Sequence, residues 1–457
     1  MRVASVLVLL AVAGCAVGPD YQRPEAPLTA RFADGDAQSI GQVAQEAWWQ
    51  DYRDPVLSGL VARGLKQNLD VMAASEAIRE AEANLRATGI NAAASGSLDG
   101  SRTRQGGEAI DGIQTIDNAE LGASFVIDLF GGIRREREGA IASLASARAT
   151  VETTRLAWLA ELIAAYSNAR YYQEALALAR DTIRAREETV DITRTQYDAG
   201  AATEYEVAEA EALLSNARAA VPQYAALFES NVYAIASLLN EPTGPIMQRM
   251  ERGAPQLRTP VGGRTGVPAD LLRNRPDVRS AEADLAAAVA DVGVAEADLY
   301  PSLSLTGSVG RADGVDSWSF GPYLSLPVFN QGALRATRDA RISAAKQAEI
   351  AWRSSVTGAV KDVQVAESNL RRYRQRVSAL RQAADDYGRA LSLAQENYRN
   401  GAITLLDLLD TDRNTASARI SAASAVNDAA QAWATLKIAT GSGAAVAAMG
   451  TPAATGG

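Results

Sequence analysis

The chain has 457 residues, of which 47% are apolar, 22% charged and 6% aromatic, a length that ordinarily corresponds to two or three globular domains. Its 45 basic and 54 acidic residues leave a formal charge of −9, which argues against binding to a nucleic-acid backbone. The sequence contains no histidine and one cysteine. Catalysis by histidine, a zinc site built from cysteine and histidine, and an internal disulfide are therefore excluded.

The N-terminus has the pattern of a secretory signal. A basic start precedes an apolar run from Val6 to Val12 that is too short to span a bilayer, and small residues lead from it to Cys15. One interpretation is an ordinary signal peptide that is cleaved near a cysteine. The favoured interpretation is a lipobox, because Val12-Ala13-Gly14-Cys15 resembles the bacterial lipoprotein processing motif, which implies that residues 1–14 are removed and Cys15 is acylated. Ala16, in the next position, favours sorting to the outer membrane.

The remainder of the chain is an internal duplication. Asn68-Leu69-Asp70-Val71 matches Arg275-Pro276-Asp277-Val278 at a shift of 277 − 70 = 207. Farther along, the residues from Tyr197 to Thr203 match those from Tyr398 to Thr404 at a shift of 398 − 197 = 201. Two such matches are not expected by chance. Each repeat is predicted to contain a helix, a pair of strands, a long helix, a sharp turn and a second helix.

Alternating apolar and polar residues predict two pairs of strands, one pair in each repeat. In the second repeat the apolar positions are Leu303, Leu305, Val309, Trp318, Phe320, Leu324, Leu326 and Val328. In the first repeat the residues from Leu121 to Leu129 alternate clearly, whereas those from Ala92 to Arg104 alternate weakly. Each strand has about ten residues, the length of a tilted transmembrane strand. A half-buried sheet of a soluble domain shows the same alternation, so the strands alone leave both interpretations open.

A very long helix is predicted after each pair of strands, from about Gly132 to Asp198 and from about Ala333 to Arg399. In the second helix apolar residues recur in alternating steps of 3 and 4, a heptad pattern, at Leu370, Tyr373, Val377, Leu380, Ala384, Tyr387, Leu391, Ala394 and Tyr398. At 1.5 Å per residue these helices are rods of ~100 Å, which is abnormal in a compact domain. No apolar stretch beyond the signal reaches the length of about 18 residues that a transmembrane helix needs, so any membrane crossing has to be made by strands.

Both long helices are predicted to end at matching turns. Gly200 and Gly401 are suited to stop the incoming helices, and a Thr-x-x-acid capping box follows each glycine. The two boxes are Thr203 with Glu206 and Thr404 with Asp407. Capping and the helix dipole account for both of these acids in purely structural terms. They do not account for Asp410, one turn farther on.

Several longer motifs carry a resemblance to a known family. They are Cys15-Ala16-Val17-Gly18-Pro19-Asp20-Tyr21 with Pro24; Trp48-Trp49 through Leu57, Leu60, Leu65 and Asn68; Val267 to Val278, continuing through Ala281-Glu282 and Gly293 to Tyr300-Pro301-Ser302-Leu303-Ser304-Leu305-Thr306-Gly307; and Pro327-Val328-Phe329-Asn330-Gln331-Gly332. With these motifs the sequence resembles the TolC superfamily of outer membrane efflux channels. Within it, the sequence is most similar to the OprM-like or NodT-like lipoproteins that work with resistance-nodulation-division (RND) pumps. The resemblance covers nearly the whole mature chain.

The resemblance implies a mainly α fold with a transmembrane β part. Four strands cannot close a barrel alone, since the smallest membrane barrels have about eight strands, so at least two chains are required. Because the family is trimeric, the resemblance implies a TolC-like trimeric channel. Its parts would be a shared 12-stranded β-barrel, with four strands from each chain, and a long α-helical coiled-coil barrel in the periplasm. The apolar strand faces would meet lipid, and the serine-rich faces would line water.

Repeats and motifs together divide the chain into six predicted segments. They are a signal peptide at 1–14, a lipid-anchored and equatorial segment at 15–67, repeat 1 at 68–240, an equatorial linker at 241–274, repeat 2 at 275–440 and a tail at 441–457. The tail is made mostly of Gly, Ala, Thr and Pro, a composition that predicts disorder.

At the periplasmic tip the resemblance implies contact with a periplasmic adaptor through residues around the two turn glycines. These residues are Gly200, Ala201, Ala202, Thr203, Gly401, Ala402, Ile403 and Thr404. Asp407 and Asp410 match positions where family members carry aspartate rings that close and charge the aperture, and Glu206 is assigned to the aperture with them. Three copies of each acid would favour cations, whereas the alternative is that these acids only cap helices. The basic residue with which some members latch the closed mouth corresponds to Ile403, which carries no charge.

The predicted function is an exit duct in the outer membrane that belongs to a tripartite efflux system for drugs, small toxic compounds or metal ions. The expected partners are two further copies of the chain, a periplasmic adaptor, an inner-membrane RND pump and outer membrane lipid, and no nucleic acid. We expect no enzymatic activity, no catalytic residue, no metal site and no cofactor other than lipid on Cys15. Two alternatives are the duct of a type I protein-secretion system and a periplasmic coiled-coil lipoprotein without a pore.

Overall fold

The computed structural model describes residues 16–26, 28–33, 38–107, 110–262 and 265–446, so Cys15 and the signal segment 1–14 lie outside the described residues. The helices are α1 (Pro55–Gln67), α2 (Leu69–Ala87), α3 (Ile90–Ala93), α4 (Gly132–Asp198), α5 (Glu204–Leu238), α6 (Thr243–Glu251), α7 (Pro268–Asn274), α8 (Pro276–Ala297), α9 (Gln331–Arg399) and α10 (Leu405–Ala439). The strands are β1 (Ala94–Gly107), β2 (Ile110–Ile127), β3 (Ser302–Ala312) and β4 (Val315–Ser325), and a 3₁₀ helix covers Trp48–Tyr52. The two long helices and the four strands predicted from the sequence are confirmed.

The chain folds into two compact units, and each unit combines parts of both repeats. Unit 1 contains Met1–Pro27, Ala74–Val151 and Asp277–Thr357, and unit 2 contains Leu28–Ala73, Glu152–Pro276 and Gly358–Gly457. The repeats are therefore units of sequence and of secondary structure, whereas the compact units are formed by pairing equivalent parts of the two repeats. None of the helices in the described ranges is both long and apolar enough to cross a membrane.

Unit 1 contains a four-stranded antiparallel sheet in the order β1-β2-β3-β4. The two hairpins join through the β2–β3 pair, in which Leu121 lies opposite Val309, while Val309 also faces Trp318 across the next pair. The strands of the first hairpin have 14 and 18 residues and those of the second have 11 each, so the first hairpin is the longer one. This extra length lies between the two matches of the repeat and accounts for the direction in which the shift changes, from 207 to 201.

One face of this sheet is apolar and uncovered. Trp318 is 80% exposed and Phe320 is 71% exposed, although both are large apolar side chains. The neighbouring exposed apolar residues on the same face are Leu98, Leu121, Phe125, Ile127, Val309 and Leu324. The opposite face carries polar side chains such as Ser308 and Ser319, whose hydroxyl oxygens lie 3.0 Å apart. A half-buried sheet of a soluble domain, one of the two interpretations of the strand pattern, would pack its apolar face on other elements of the domain, whereas no described residue covers this face.

The N-terminal segment of unit 1 is held beside the end of β2 and on α4 and α8. The amide of Val17 donates to the carbonyl of Phe130, just after β2. The buried guanidinium of Arg135 donates to the carboxylate of Asp20 at 2.7 Å, and Arg23 makes two parallel hydrogen bonds to Glu282 at 2.7 and 2.8 Å. These charge-assisted bonds fix the residues that directly follow Cys15 beside the end of β2.

Unit 2 has an aromatic core at the C-terminal end of α10. The ring of Trp433 meets Trp48 at 5.4 Å and Tyr52 at 4.9 Å, both edge to face, and the indole of Trp48 donates to the carbonyl of Ser442. Residues 441–446 form a turn in which Ser442 and Ala444 are buried. The prediction of a disordered tail is therefore wrong for residues 441–446, and residues 447–457 lie outside the described residues.

At its other end, unit 2 is a bundle of four helices formed by the last turns of α4 and α9 and the first turns of α5 and α10. Its buried apolar core is the turn cluster, which we define as Val190, Ala210, Leu213, Leu214, Leu391, Ala394, Tyr398, Leu405, Leu408 and Leu409. The predicted heptad of α9 is confirmed, since its positions are buried or half-buried with the exception of Tyr387, which is exposed.

A buried ion pair crosses this bundle. Arg186 on α4 donates from Nε to Oδ2 of Asp412 on α10 at 2.7 Å, and from Nη1 to the carbonyl of Leu213 on α5 at 3.0 Å. Both charged side chains are only 10% exposed. One guanidinium thus joins three helices, and its charge is balanced where water has little access.

Removal of the Asp412 carboxylate should lower the stability of the bundle. Asp412→Ala leaves the buried guanidinium of Arg186 without its counter-charge, so we expect the free energy of unfolding of the bundle to fall by about 3 kcal/mol. Thermal unfolding of the purified protein in detergent, followed by circular dichroism, measures the change. The matched control is Asp410→Ala, which removes an exposed carboxylate two residues earlier in the same helix and should change stability little. Equal effects of the two substitutions would contradict the assignment.

Candidate functional site at the paired helix turns

The two turns that end α4 and α9 have the same backbone structure. Gly200 and Gly401 lie in the left-handed region, with φ of 74° and 70°. The amide of Gly200 donates to the carbonyl of Tyr197 at 2.9 Å and the amide of Ala201 donates to that of Gln196 at 2.7 Å. In the second repeat the same two bonds start from Gly401, at 3.0 Å, and from Ala402, at 2.8 Å. This pair of bonds is the Schellman arrangement, which requires a left-handed residue and explains the glycine.

Both outgoing helices begin with the predicted capping boxes. The amide of Glu206 donates to the hydroxyl of Thr203 at 3.2 Å, while the amide of Thr203 donates to the Glu206 carboxylate at 2.7 Å. The amide of Asp407 likewise donates to the hydroxyl of Thr404 at 3.3 Å, and the amide of Thr404 donates back at 3.2 Å. Glu206 and Asp407 therefore satisfy backbone donors at the start of α5 and α10.

The carboxylate of Asp407 stays ionised while it accepts the capping hydrogen bonds. The hydroxyl of Thr404 donates to its carboxylate at 2.7 Å, and the Thr404 amide adds a second bond. These donors stabilise the ionised form and lower the pKa of Asp407 below its usual value, with the hydroxyl bond as the larger cause. Because the carboxylate is fully exposed, capping the helix does not remove its charge from the surface at the turns.

Asp410 has a different environment. It is exposed, and its carboxylate accepts a hydrogen bond at 3.2 Å from Asn414, one turn farther along α10. No capping bond among the described residues involves it. The carboxylates of Asp407 and Asp410 thus lie on the exposed side of α10, close to the turn, while that of Asp412 lies inside the bundle.

The residues predicted to contact an adaptor form the surface of the two turns. Exposed members of this set are Gly200, Ala201, Thr203, Gly401, Ala402 and Thr404, and Ala202 is half-buried. Ile403 is also half-buried, because it packs against the turn cluster. The side chain of Ile403 therefore faces the apolar core and carries no charge.

Sequence reasoning missed the role of Asp412, although the sequence contains a signal for it. Leu405, Leu408, Leu409, Asp412 and Thr415 are spaced along one face of α10, and all are buried. An acid on an otherwise apolar helix face needs a counter-charge. Its partner, Arg186, is 226 residues away in sequence, so the spacing alone does not identify it.

No metal site accompanies these acids in the described part of the chain, where no cluster of three or more acidic or cysteine side chains is arranged to hold an ion. The arrangement that is present consists of charged carboxylates at two rigid, exposed turns.

Known proteins match this chain over most of its length. The outer membrane efflux protein family matches residues 60–241 and 267–442, which correspond to the two repeats. Nodulation protein T of Rhizobium leguminosarum bv. trifolii is 38% identical over 447 residues, covering 95% of this chain and 96% of the relative. The toluene efflux pump outer membrane protein TtgC of Pseudomonas putida is 32% identical over 438 residues, covering 89% of this chain and 88% of the relative.

Among solved structures, the outer-membrane channel OprN is similar over 94% of this chain and 100% of its own, with a TM-score of 0.85 and 29% identity. The likeness therefore includes the strands and the helix turns and is not limited to one compact unit. Sequence and structure agree that the chain belongs to the outer membrane efflux protein family.

Proposed function

We propose that this protein is the outer membrane exit duct of a tripartite efflux system, through which drugs, small toxic compounds or metal ions leave the cell. The observation that carries the proposal is the uncovered apolar face of the four-stranded sheet. Such a face is unstable in water and stable against lipid. The names of the relatives, an efflux pump component and an outer-membrane channel, describe the same task. The family consists of channels and not of enzymes, and the protein acts as a passage without a reaction of its own.

The sheet also requires further copies of the chain. β1 and β4 are its edges, and each has backbone groups on one side that no strand of the sheet pairs. Unpaired backbone groups in lipid are costly, and a closed barrel is the arrangement in which strands satisfy all of them. We therefore propose that β1 of one chain pairs with β4 of the next. Three chains supply the 12 strands of a barrel whose serine-rich face lines water.

The paired turns are proposed to meet a periplasmic adaptor, which links the duct to an inner-membrane RND pump. Asp407 and Asp410 are proposed to line the aperture, with Glu206 beside them on α5. The exposed carboxylates on α10 support this role, since capping uses Asp407 without hiding its charge. Repeated in each chain of a ring, these acids concentrate negative potential at the mouth and favour cations.

The N-terminus is proposed to carry a covalently attached lipid on Cys15, and we propose no other cofactor for the protein. The residues that follow it are held beside the end of β2 by the bond from Val17 to Phe130 and by the Arg135–Asp20 pair. An acyl chain attached there would start next to the proposed membrane-spanning sheet, and each of its buried methylenes contributes about 0.8 kcal/mol to membrane binding.

A pore can be tested directly by liposome swelling. Purified protein reconstituted into liposomes should make them swell in an isotonic solution of a small sugar, because a closed barrel passes uncharged solutes. Inserted protein that passes no solute would refute the channel and favour a coiled-coil spacer.

A matched pair of variants tests which face of the sheet contacts lipid, with membrane insertion as the measurement. Phe320→Arg places a charge on the apolar face and should oppose insertion by about 2–4 kcal/mol, while Ser319→Arg places the same charge on the opposite face and should allow insertion. Equal insertion of both variants would contradict the assigned faces.

The aperture assignment predicts a change in conductance. Asp407→Asn together with Asp410→Asn removes two negative charges from each chain but leaves an oxygen acceptor for the amide of Thr404. We expect higher single-channel conductance in planar bilayers, because the aspartate rings are proposed to close the aperture as well as to charge it. We also expect weaker block by multivalent cations, because the negative potential that attracts them is removed. The control Asp181→Ala removes an exposed carboxylate of α4 that is paired with Arg184 and should leave both properties unchanged. Unchanged conductance in the double variant would show that Asp407 only caps α10 and that Asp410 is only a surface residue of that helix.

The lipid anchor has its own test. Cys15→Ser should abolish labelling by a radioactive or clickable fatty acid, because the thiol is the site of acylation. Swelling activity of the reconstituted protein should persist, since the sheet itself remains intact. Labelling that survives the substitution would place the lipid elsewhere.

A further inference from the structure

A contact between repeat 1 and repeat 2 is visible within unit 2 and involves two charged pairs. Glu188 on α4 pairs with Arg399 at the end of α9, and Arg186 on α4 pairs with Asp412 on α10. Close by, the hydroxyl of Thr193 on α4 lies 3.0 Å from that of Tyr398 on α9. One face of repeat 1 therefore meets one face of repeat 2 inside each chain.

The two repeats correspond residue by residue at this end. α4 and α9 end at 198 and 399, α5 and α10 begin at 204 and 405, and both outgoing helices have 35 residues. The two turns share their hydrogen bonds at the same spacing. A shift of 201 therefore relates equivalent positions throughout the bundle without any insertion.

In a closed ring of chains, repeat 2 of one chain must meet repeat 1 of the next. If both contacts use equivalent faces, the contact between chains follows from the contact within the chain by the same shift. Glu188 becomes 188 + 201 = 389, which is Arg389, and Arg399 becomes 399 − 201 = 198, which is Asp198. The pair Arg186 and Asp412 becomes Tyr387 and Glu211 in the same way.

We propose that Arg389 of one chain pairs with Asp198 of the next chain, and that Tyr387 donates to Glu211 beside them. The proposal rests on the ring assembly of the proposed function and names the residues that join its helical part. The charges support it, because both substituted pairs remain chemically complementary: a base meets an acid, and a phenol hydroxyl meets a carboxylate.

The sign of the charges also selects the order of the repeats. At the two positions of the Glu188–Arg399 pair and at their equivalents, repeat 1 is acidic, with Glu188 and Asp198, whereas repeat 2 is basic, with Arg389 and Arg399. Repeat 1 against repeat 1 would bring two acids together, and repeat 2 against repeat 2 two bases. At the positions of Glu188, Asp198, Arg389 and Arg399, only alternation of the repeats places an acid opposite a base.

The four residues are accessible in the single chain. The side chain of Arg389 is 75% exposed and contacts only the exposed Asp386 of its own helix among the ion pairs of the described residues. Asp198 is exposed and takes part in none of those pairs, while Glu211 shares its exposed carboxylate with Arg194. Tyr387 is the one exposed position in the heptad of α9. An exposed tyrosine in an otherwise covered heptad marks a face that a second helix is expected to cover.

A pair of introduced cysteines tests the contact in the full-length, reconstituted protein. The variant Asp198→Cys with Arg389→Cys, treated with a short bismaleimide, should give covalent dimers and trimers on denaturing gels. The matched control Glu188→Cys with Arg399→Cys occupies the equivalent positions of the contact within the chain, so it should react while remaining at the mass of one chain. The parent chain, without added cysteines, should give no such product.

The outcomes separate this proposal from the assembly on which it rests. The proposed contact would be overturned, and the trimer left intact, by the following combination of results. An amine-reactive crosslinker gives trimers and the bismaleimide reacts with the control pair, but the variant with cysteines at positions 198 and 389 stays monomeric. Absence of multimers with either reagent would refute the ring itself.

A charge exchange covers the case in which the cysteine variant does not fold. Arg389→Glu should reduce the fraction of crosslinked trimer, because it places an acid opposite Asp198, and the further change Asp198→Arg should restore it. The control Arg184→Glu reverses a charge on α4 that pairs only within its own helix and should leave the fraction unchanged. A loss that Asp198→Arg does not repair would overturn the pairing.

Discussion

The need to pair the backbone of an open sheet governs the rest of this molecule. Four strands lie in chain order, and the outer sides of β1 and β4 have no partner in the sheet, while one face exposes tryptophan, phenylalanine and leucine side chains. Neither feature is stable in water, and the edges are not stable in lipid unless another strand pairs with them. A single chain is therefore an incomplete structure. The proposed ring resolves both problems, since lipid covers the apolar face and neighbouring chains complete the hydrogen bonds.

Duplication gives the chain two similar helix turns, and divergence gives the two repeats different chemistry. At equivalent positions, the contact within the chain has a buried pair of Arg186 from repeat 1 and Asp412 from repeat 2, whereas the proposed contact between chains has Tyr387 from repeat 2 and Glu211 from repeat 1. A buried ion pair is costly to desolvate and is stable only when both partners are present, so it suits a junction that is formed as the chain folds. A tyrosine and a surface carboxylate are tolerated in water. They suit a junction that forms later, when chains assemble.

Three acids within six residues of α10 show how position decides the role of one functional group. Asp407 caps the helix and keeps its charge, Asp410 is exposed, and Asp412 is buried against a guanidinium. The helical repeat places the first two outside the bundle and the third inside it. The number of acids near the turn therefore overstates the charge exposed at its surface, because the Asp412 carboxylate is paired with Arg186 inside the bundle.

The sequence by itself determined the features that depend on neighbouring residues. The ends of α4, the strand alternation, the glycine turns and both capping boxes follow from local hydrogen bonding and periodicity, and all of them are present in the structure. The motifs also identified the family. Only the tertiary structure decided which faces are covered. It paired Arg186 with Asp412 across 226 residues, ordered residues 441–446 through Trp48, and built each compact unit from both repeats. Such contacts join distant segments, and a one-dimensional pattern specifies that a residue is buried without specifying what it is buried against.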